Sequence, residues 1–172
     1  MNGWYGKNAE FWERLQKKVN NAELRKAKEY ALRSLTCIDQ TEFQIRQKLQ
    51  QKSFDFEIIE AVIAFLKDYN YINDLRFTEQ YIGCHCGTMN RKQLLEKLYS
   101  KGIKNVDIDN YLELYQYDEK ALLQKAVKKY SKNKDVSDLK VRQKILIHFT
   151  QKGYSYAMIR DVINVDMEDC IL

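Results

Sequence analysis

IRQKLQQKSFDFEIIEAVI (45–63), LLEKLYSKGIKNVDIDNYL (94–112) and ILIHFTQKGYSYAMIRDVI (145–163) align without gaps, and this alignment decides the architecture. Six columns are apolar in all three: Ile45/Leu94/Ile145, Leu49/Leu98/Phe149, Phe54/Ile103/Tyr154, Ile59/Ile108/Ile159, Val62/Tyr111/Val162 and Ile63/Leu112/Ile163. At this hydrophobic content, chance supplies roughly two such columns, so the segment is an internal repeat. The first two columns lie four apart, on one face of a helix; the last three lie at i, i+3 and i+4 of a second helix. Between them, Lys52-Ser53, Lys101-Gly102 and Lys152-Gly153 mark a turn. Glycine suits the left-handed position that closes a helix, and a lysine in the last turn complements the helix dipole. Ser53 carries a steric cost there.

Working outward, Thr41-Glu42-Phe43-Gln44 has the form of a capping box, and Asn90-Arg91-Lys92-Gln93 stands at the equivalent position. A third helix precedes each pair. Asp74 is expected to cap Leu75–Cys86 and Asp118 to cap Glu119–Lys132, while Leu24, Ala27, Ala31 and Leu35 form the stripe of the first copy's helix. The expected organisation is an all-α, elongated, curved array of three tandem three-helix repeats, 24–73, 74–117 and 118–172. An N-terminal helical extension, 1–23, carries the stripe Phe11, Leu15, Val19 and Ala22 beside Trp12. Such an array offers one long concave face.

Composition agrees. The 172 residues are 45% hydrophobic and 31% charged, with six glycines and no proline, which excludes disordered and turn-rich all-β classes. The longest uncharged stretch, Gln80–Asn90, is too short to cross a bilayer, and the first residues lack the apolar core of a secretion signal. Four cysteines suit reduced thiols in a cytoplasm better than a disulfide scaffold. Cys84-His85-Cys86 is not expected to bind metal, because side chains at i and i+2 of a helix point apart. No Gly-rich phosphate loop is present, and two histidines at unrelated repeat positions argue against a nucleophile triad. The reading is a binding protein without enzymatic activity or cofactor.

Net charge is +5, concentrated late: Lys120–Lys144 holds nine basic residues against Asp135 and Asp138. Lys125, Lys128, Lys129 and Lys132 recur at i+3 and i+4, opposite Leu122, Ala126, Val127 and Tyr130, and Lys140 and Lys144 extend the basic face on the next helix. These six lysines and Arg76 are the candidate partner contacts. The competing accounts are a solvated face for the lysines and a structural salt bridge for Arg76.

Tyr71-Ile72-Asn73-Asp74-Leu75-Arg76-Phe77, followed by Leu98-Tyr99-Ser100-Lys101-Gly102-Ile103, resembles the RecX family. That family's first unit typically reads Ser-x-x-Glu-Leu-x-x-Lys-Leu, where this chain has Thr41, Gln44, Ile45, Lys48 and Leu49. The Lys-Gly-Ile turn of its second unit stands as Lys101-Gly102-Ile103, and the basic-Gly-large turn of its third as Lys152-Gly153-Tyr154. The resemblance spans about residues 24–165. Gln44, Ser53 and Asn73 depart from the pattern conservatively. It implies a cytoplasmic, non-enzymatic modulator that lies in the groove of the RecA–DNA filament and restrains ATPase, strand exchange and coprotease activity; the chain is expected to be a monomer. The rival from another class is a direct nucleic-acid binder, since three-helix units resemble helix-turn-helix modules.

Overall fold

The computed structural model describes residues 21–36, 38–104 and 106–168. The Phe11–Val19 stripe therefore lies outside the described residues. Within them the regular structure is helical: α1 (Asn21–Leu35), α2 (Glu42–Gln51), α3 (Phe56–Asp68), α4 (Asp74–His85), α5 (Arg91–Ser100), α6 (Ile108–Leu114), α7 (Glu119–Ser131), α8 (Leu139–Gln151) and α9 (Tyr156–Glu168). The stretch from Lys7 to Ile82, without glycine or proline, is expected to be almost entirely helical, and its described part forms α1, α2, α3 and most of α4, separated by short turns.

The chain divides into two compact units. The first runs to Thr78 and includes Lys101–Ile103; the second comprises Glu79–Ser100 and Lys104 onward. In the first, α1 and α2 pack on α3 around Ala27, Ala31, Ile45, Leu49, Ile59, Val62, Ile63 and Leu66, all at most 2% exposed. In the second, α7 and α8 pack on α9 around Leu123, Val127, Ile145, Phe149, Ile159, Val162 and Ile163. Repeat columns of the first and third copies belong to these cores. Ile45, Leu94 and Ile145 are each 0% exposed, and so are Leu49 and Leu98. Truncating any of them to alanine costs about 2–5 kcal/mol through lost burial and the cavity left behind.

The turns follow their side chains. Ser53 has φ +58°, with its N–H bonded to the Gln50 carbonyl and that of Phe54 to Leu49. Gly153 repeats the arrangement with Thr150 and Phe149, so the apolar residue after the turn folds back onto the helix it closes. Ser53 bears the left-handed conformation with a side chain, but it is exposed. Gly102 and Gly153 are half-buried.

The helix starts partly revise the expectation. Thr41 and Gln44 form the capping box, and Asn90 and Gln93 form a second one: Asn90 Oδ1 accepts from Gln93 N–H at 2.8 Å, and Gln93 Oε1 accepts from Asn90 N–H at 3.2 Å. Asp118 caps α7 through Ala121 N–H at 2.9 Å. Asp74, however, does not cap α4. Asn73 Oδ1 takes the N–H groups of Leu75 and Arg76, both at 3.1 Å, and Asp74 instead accepts from Glu42 N–H at 2.9 Å, at the start of α2.

Candidate partner-binding surface

The third repeat builds its charged surface on a fixed register. The buried side of α7 is Leu123 and Val127, one step round from the expected Leu122. Lys125, Lys128, Lys129 and Lys132 are all exposed, as are Lys140 and Lys144 on or beside α8. None of the six comes within ion-pair distance of a carboxylate among the described residues. The two acids within the band are engaged elsewhere. Asp135 Oδ1 accepts from the Ser137 N–H at 2.8 Å and hydroxyl at 2.6 Å, which holds its carboxyl below the usual range. Asp138 caps α8 through Lys140 N–H at 2.8 Å. Among the described residues the six lysines therefore face solvent.

Tyr130, opposite the lysine stripe and packed against the core, belongs to an aromatic group that the charge pattern did not flag. Tyr130 stacks on His148 with centroids 4.6 Å apart, His148 meets Phe149 edge-on at 5.0 Å, and Lys134 Nζ sits 3.5 Å above the Tyr130 ring. Burial, then the charges of Lys152 and Lys134, lower the His148 pKa from 6.5, so this ring is neutral at neutral pH. The Tyr130–Lys134 spacing of four was the available signal.

Arg76 belongs to the first unit, in the first turn of α4. It is half-buried and lines a small cavity with Asp39, Gln40, Tyr71, Asn73 and Phe77. Its guanidinium donates to the Asn70 carbonyl at 3.4 Å, and no ion pair engages it among the described residues. Besides the exposed Arg25–Glu29 pair, the ion pairs described in this unit gather around Glu42, which pairs with Lys67 and with Arg46 (2.8 Å), and Arg46 in turn holds Glu60. Burial works against the Glu42 carboxylate, but these two cations outweigh it and lower its pKa.

The remaining candidate chemistry is occupied by structure. His85 Nδ1 lies 2.9 Å from the Tyr81 carbonyl oxygen, Cys84 is exposed, and half-buried Cys86 lies just past the end of α4. Among the described residues no group of three His, Cys, Asp or Glu is placed to hold a metal ion. No described helix is long and apolar enough to cross a membrane.

Residues 27–66 match a family model described as RecX, first three-helix domain, and residues 116–163 one described as RecX, third three-helix domain. Regulatory protein RecX of Clostridium perfringens (strain SM101) is 31% identical over 155 residues, covering 88% of this chain and 73% of that protein. Its counterpart in Clostridioides difficile is 35% identical over 147 residues, covering 81% and 67%. A crystal structure of regulatory protein RecX superposes with a TM-score of 0.69 at 24% identity, over 83% of this chain and 72% of that one. The crystal structure of RecX from Lactobacillus salivarius does so at 0.64 and 22%, over 84% and 97%. The helices, their repeat and these relatives define an all-α protein of tandem three-helix domains, of a regulatory class. The chain belongs to the RecX family.

Proposed function

We propose that this protein binds the RecA filament assembled on DNA and restrains its ATPase, recombinase and coprotease activities, acting in the cytoplasm during DNA repair and the SOS response. Three repeats, 24–73, 74–117 and 118–172, follow the extension 1–23, and the molecule acts as a monomer without enzymatic chemistry of its own. The observation that carries the reading, beyond membership of a regulatory family, is the stripe Lys125, Lys128, Lys129 and Lys132 with Lys140 and Lys144. All six are exposed and without ion pairs among the described residues. A nucleoprotein filament presents acidic side chains and phosphates, and unneutralised lysines on a rigid helix both steer towards such a surface and contact it.

The same exposed lysines favour direct nucleic-acid binding as the second reading, since a row of lysines on one helix face suits a phosphate backbone. The two readings part in one experiment. Binding to bare single-stranded DNA is compared with binding to the RecA-coated strand at two salt concentrations. The regulator reading expects binding that requires RecA; salt-dependent binding to bare DNA alone supports the second.

A further inference from the structure

The two capping boxes do more than start their own helices. Thr41 Oγ1 donates to the Lys101 carbonyl at 2.6 Å, and Asn90 Nδ2 donates to the Lys152 carbonyl at 2.8 Å. Thr41 and Asn90 occupy the same position of the repeat, four residues before the first apolar column, and Lys101 and Lys152 are the same lysine of the Lys-Gly turn one repeat later. Each bond lies inside one compact unit, Thr41–Lys101 in the first and Asn90–Lys152 in the second. Both side chains are fully buried at 0% exposure.

We infer that Thr41 and Asn90 are latches: each uses one oxygen to cap its own helix and one donor to hold the helix-closing turn of the next repeat. A carbonyl at a helix end has no partner within the helix, and an N-terminal N–H has none either; one side chain satisfies both. The glycines complete the latch. A Cβ on Gly102 would lie 2.2 Å from Phe43 Cβ, and one on Gly153 would lie 2.6 Å from Lys92 Cδ. Phe43 and Lys92 again occupy one repeat position, two residues after the latch. The pairing rule is thus a Thr or Asn at the helix start, answered by Lys-Gly in the following repeat.

The rule also fails where it should. The third repeat has Val141 at the latch position and starts α8 earlier, from Asp138, so it offers no donor to a further turn. The first repeat has exposed Ser53 in place of the glycine, so its turn is not built to receive a preceding helix start. The latch therefore joins repeat one to two and two to three and does not extend beyond them.

Asn90→Asp separates the two roles, because aspartate caps a helix as well as asparagine but has no N–H to give. Amide hydrogen exchange is measured on the folded protein. In Asn90→Asp, the Gly153 and Tyr154 amides should exchange about tenfold faster, the worth of one hydrogen bond, while the Gln93 and Leu94 amides keep their protection. At the first joint, Thr41→Ser should leave the Gly102–Ile103 amides unchanged and Thr41→Val should speed them. Unchanged exchange at Gly153 and Tyr154, or equal acceleration at the start of α5, overturns the latch. So does a Thr41→Ser variant that loosens the turn as much as Thr41→Val.

Discussion

Substituting Gly102 by alanine should be among the most damaging single-methyl changes in this protein, and its cost can be built up from the geometry. Gly102 has φ +89°, where a side chain costs about 1–2 kcal/mol. Its added Cβ would stand 2.2 Å from Phe43 Cβ and 2.5 Å from Phe43 Cγ, whereas carbon atoms rest about 3.5–4 Å apart. Phe43 Cβ is anchored to the α2 backbone, so no rotamer change clears it, and either the turn or the helix start must shift. Overpacking of this kind adds about 1–3 kcal/mol. Restricting the unfolded chain returns about 0.4–1 kcal/mol. The net loss is about 2–4 kcal/mol. Ser53 supplies the mirror experiment: it bears φ +58° on the surface, so Ser53→Gly should stabilise by about 0.5–1 kcal/mol once glycine's entropy is charged against the relieved strain. Urea denaturation followed by circular dichroism measures both. Phe43→Ala should not rescue Gly102→Ala, since the clashing Cβ remains. If Gly102→Ala costs under about 1 kcal/mol, or Ser53→Gly destabilises, the close-approach account of the turn is refuted.

Three further expectations concern charge and the Cys84-His85-Cys86 stretch. The lowered pKa of Glu42 means that its ion pairs with Lys67 and Arg46 contribute stability that is full above the unfolded value of 4.5 and is lost as pH falls through the lower folded value. Glu42→Gln should flatten the acid limb of a stability–pH curve in that window. His148, also lowered, contributes in the same sense from 6.5 downwards. Its proton titration by nuclear magnetic resonance should have a midpoint below 6.5, and a midpoint above it would contradict the Lys134–Lys152 environment. Melting curves with and without a chelator should coincide, because His85 Nδ1 faces the Tyr81 carbonyl rather than a shared ion; a drop of several degrees would contradict this.

What the sequence disclosed and what it withheld follow from range. The apolar columns were legible because burial at i and i+4 is a local pattern, and Ile45, Leu94 and Ile145 all reached the core. The Thr41 box and the Asp118 cap were legible for the same reason. Asn73 and Asp74 were not separable, because either side chain can cap the helix that follows. The choice is made by Glu42, thirty-two residues upstream, whose N–H recruits Asp74. The meaning of the Lys-Gly turn was half legible: the positive φ could be read, but not that Thr41 bonds the Lys101 carbonyl and Phe43 lies against Gly102 from another repeat. At the charged surface the exposed lysines were legible from helical spacing. That none of them meets a carboxylate among the described residues was not, since ion pairing depends on neighbours brought close by the fold.

The central claim is tested most directly by the rate of ATP hydrolysis by the cognate RecA on single-stranded DNA, measured against increasing amounts of this protein at two salt concentrations. The account predicts inhibition that saturates and weakens with salt. It predicts weaker and less salt-sensitive inhibition by the variant with Lys125, Lys128, Lys129 and Lys132 replaced by alanine, a set of exposed helix sites that should leave folding intact. Inhibition curves that coincide for the two proteins at low salt would remove the stripe from the interface, and an unchanged rate with the unaltered protein would contradict the account itself.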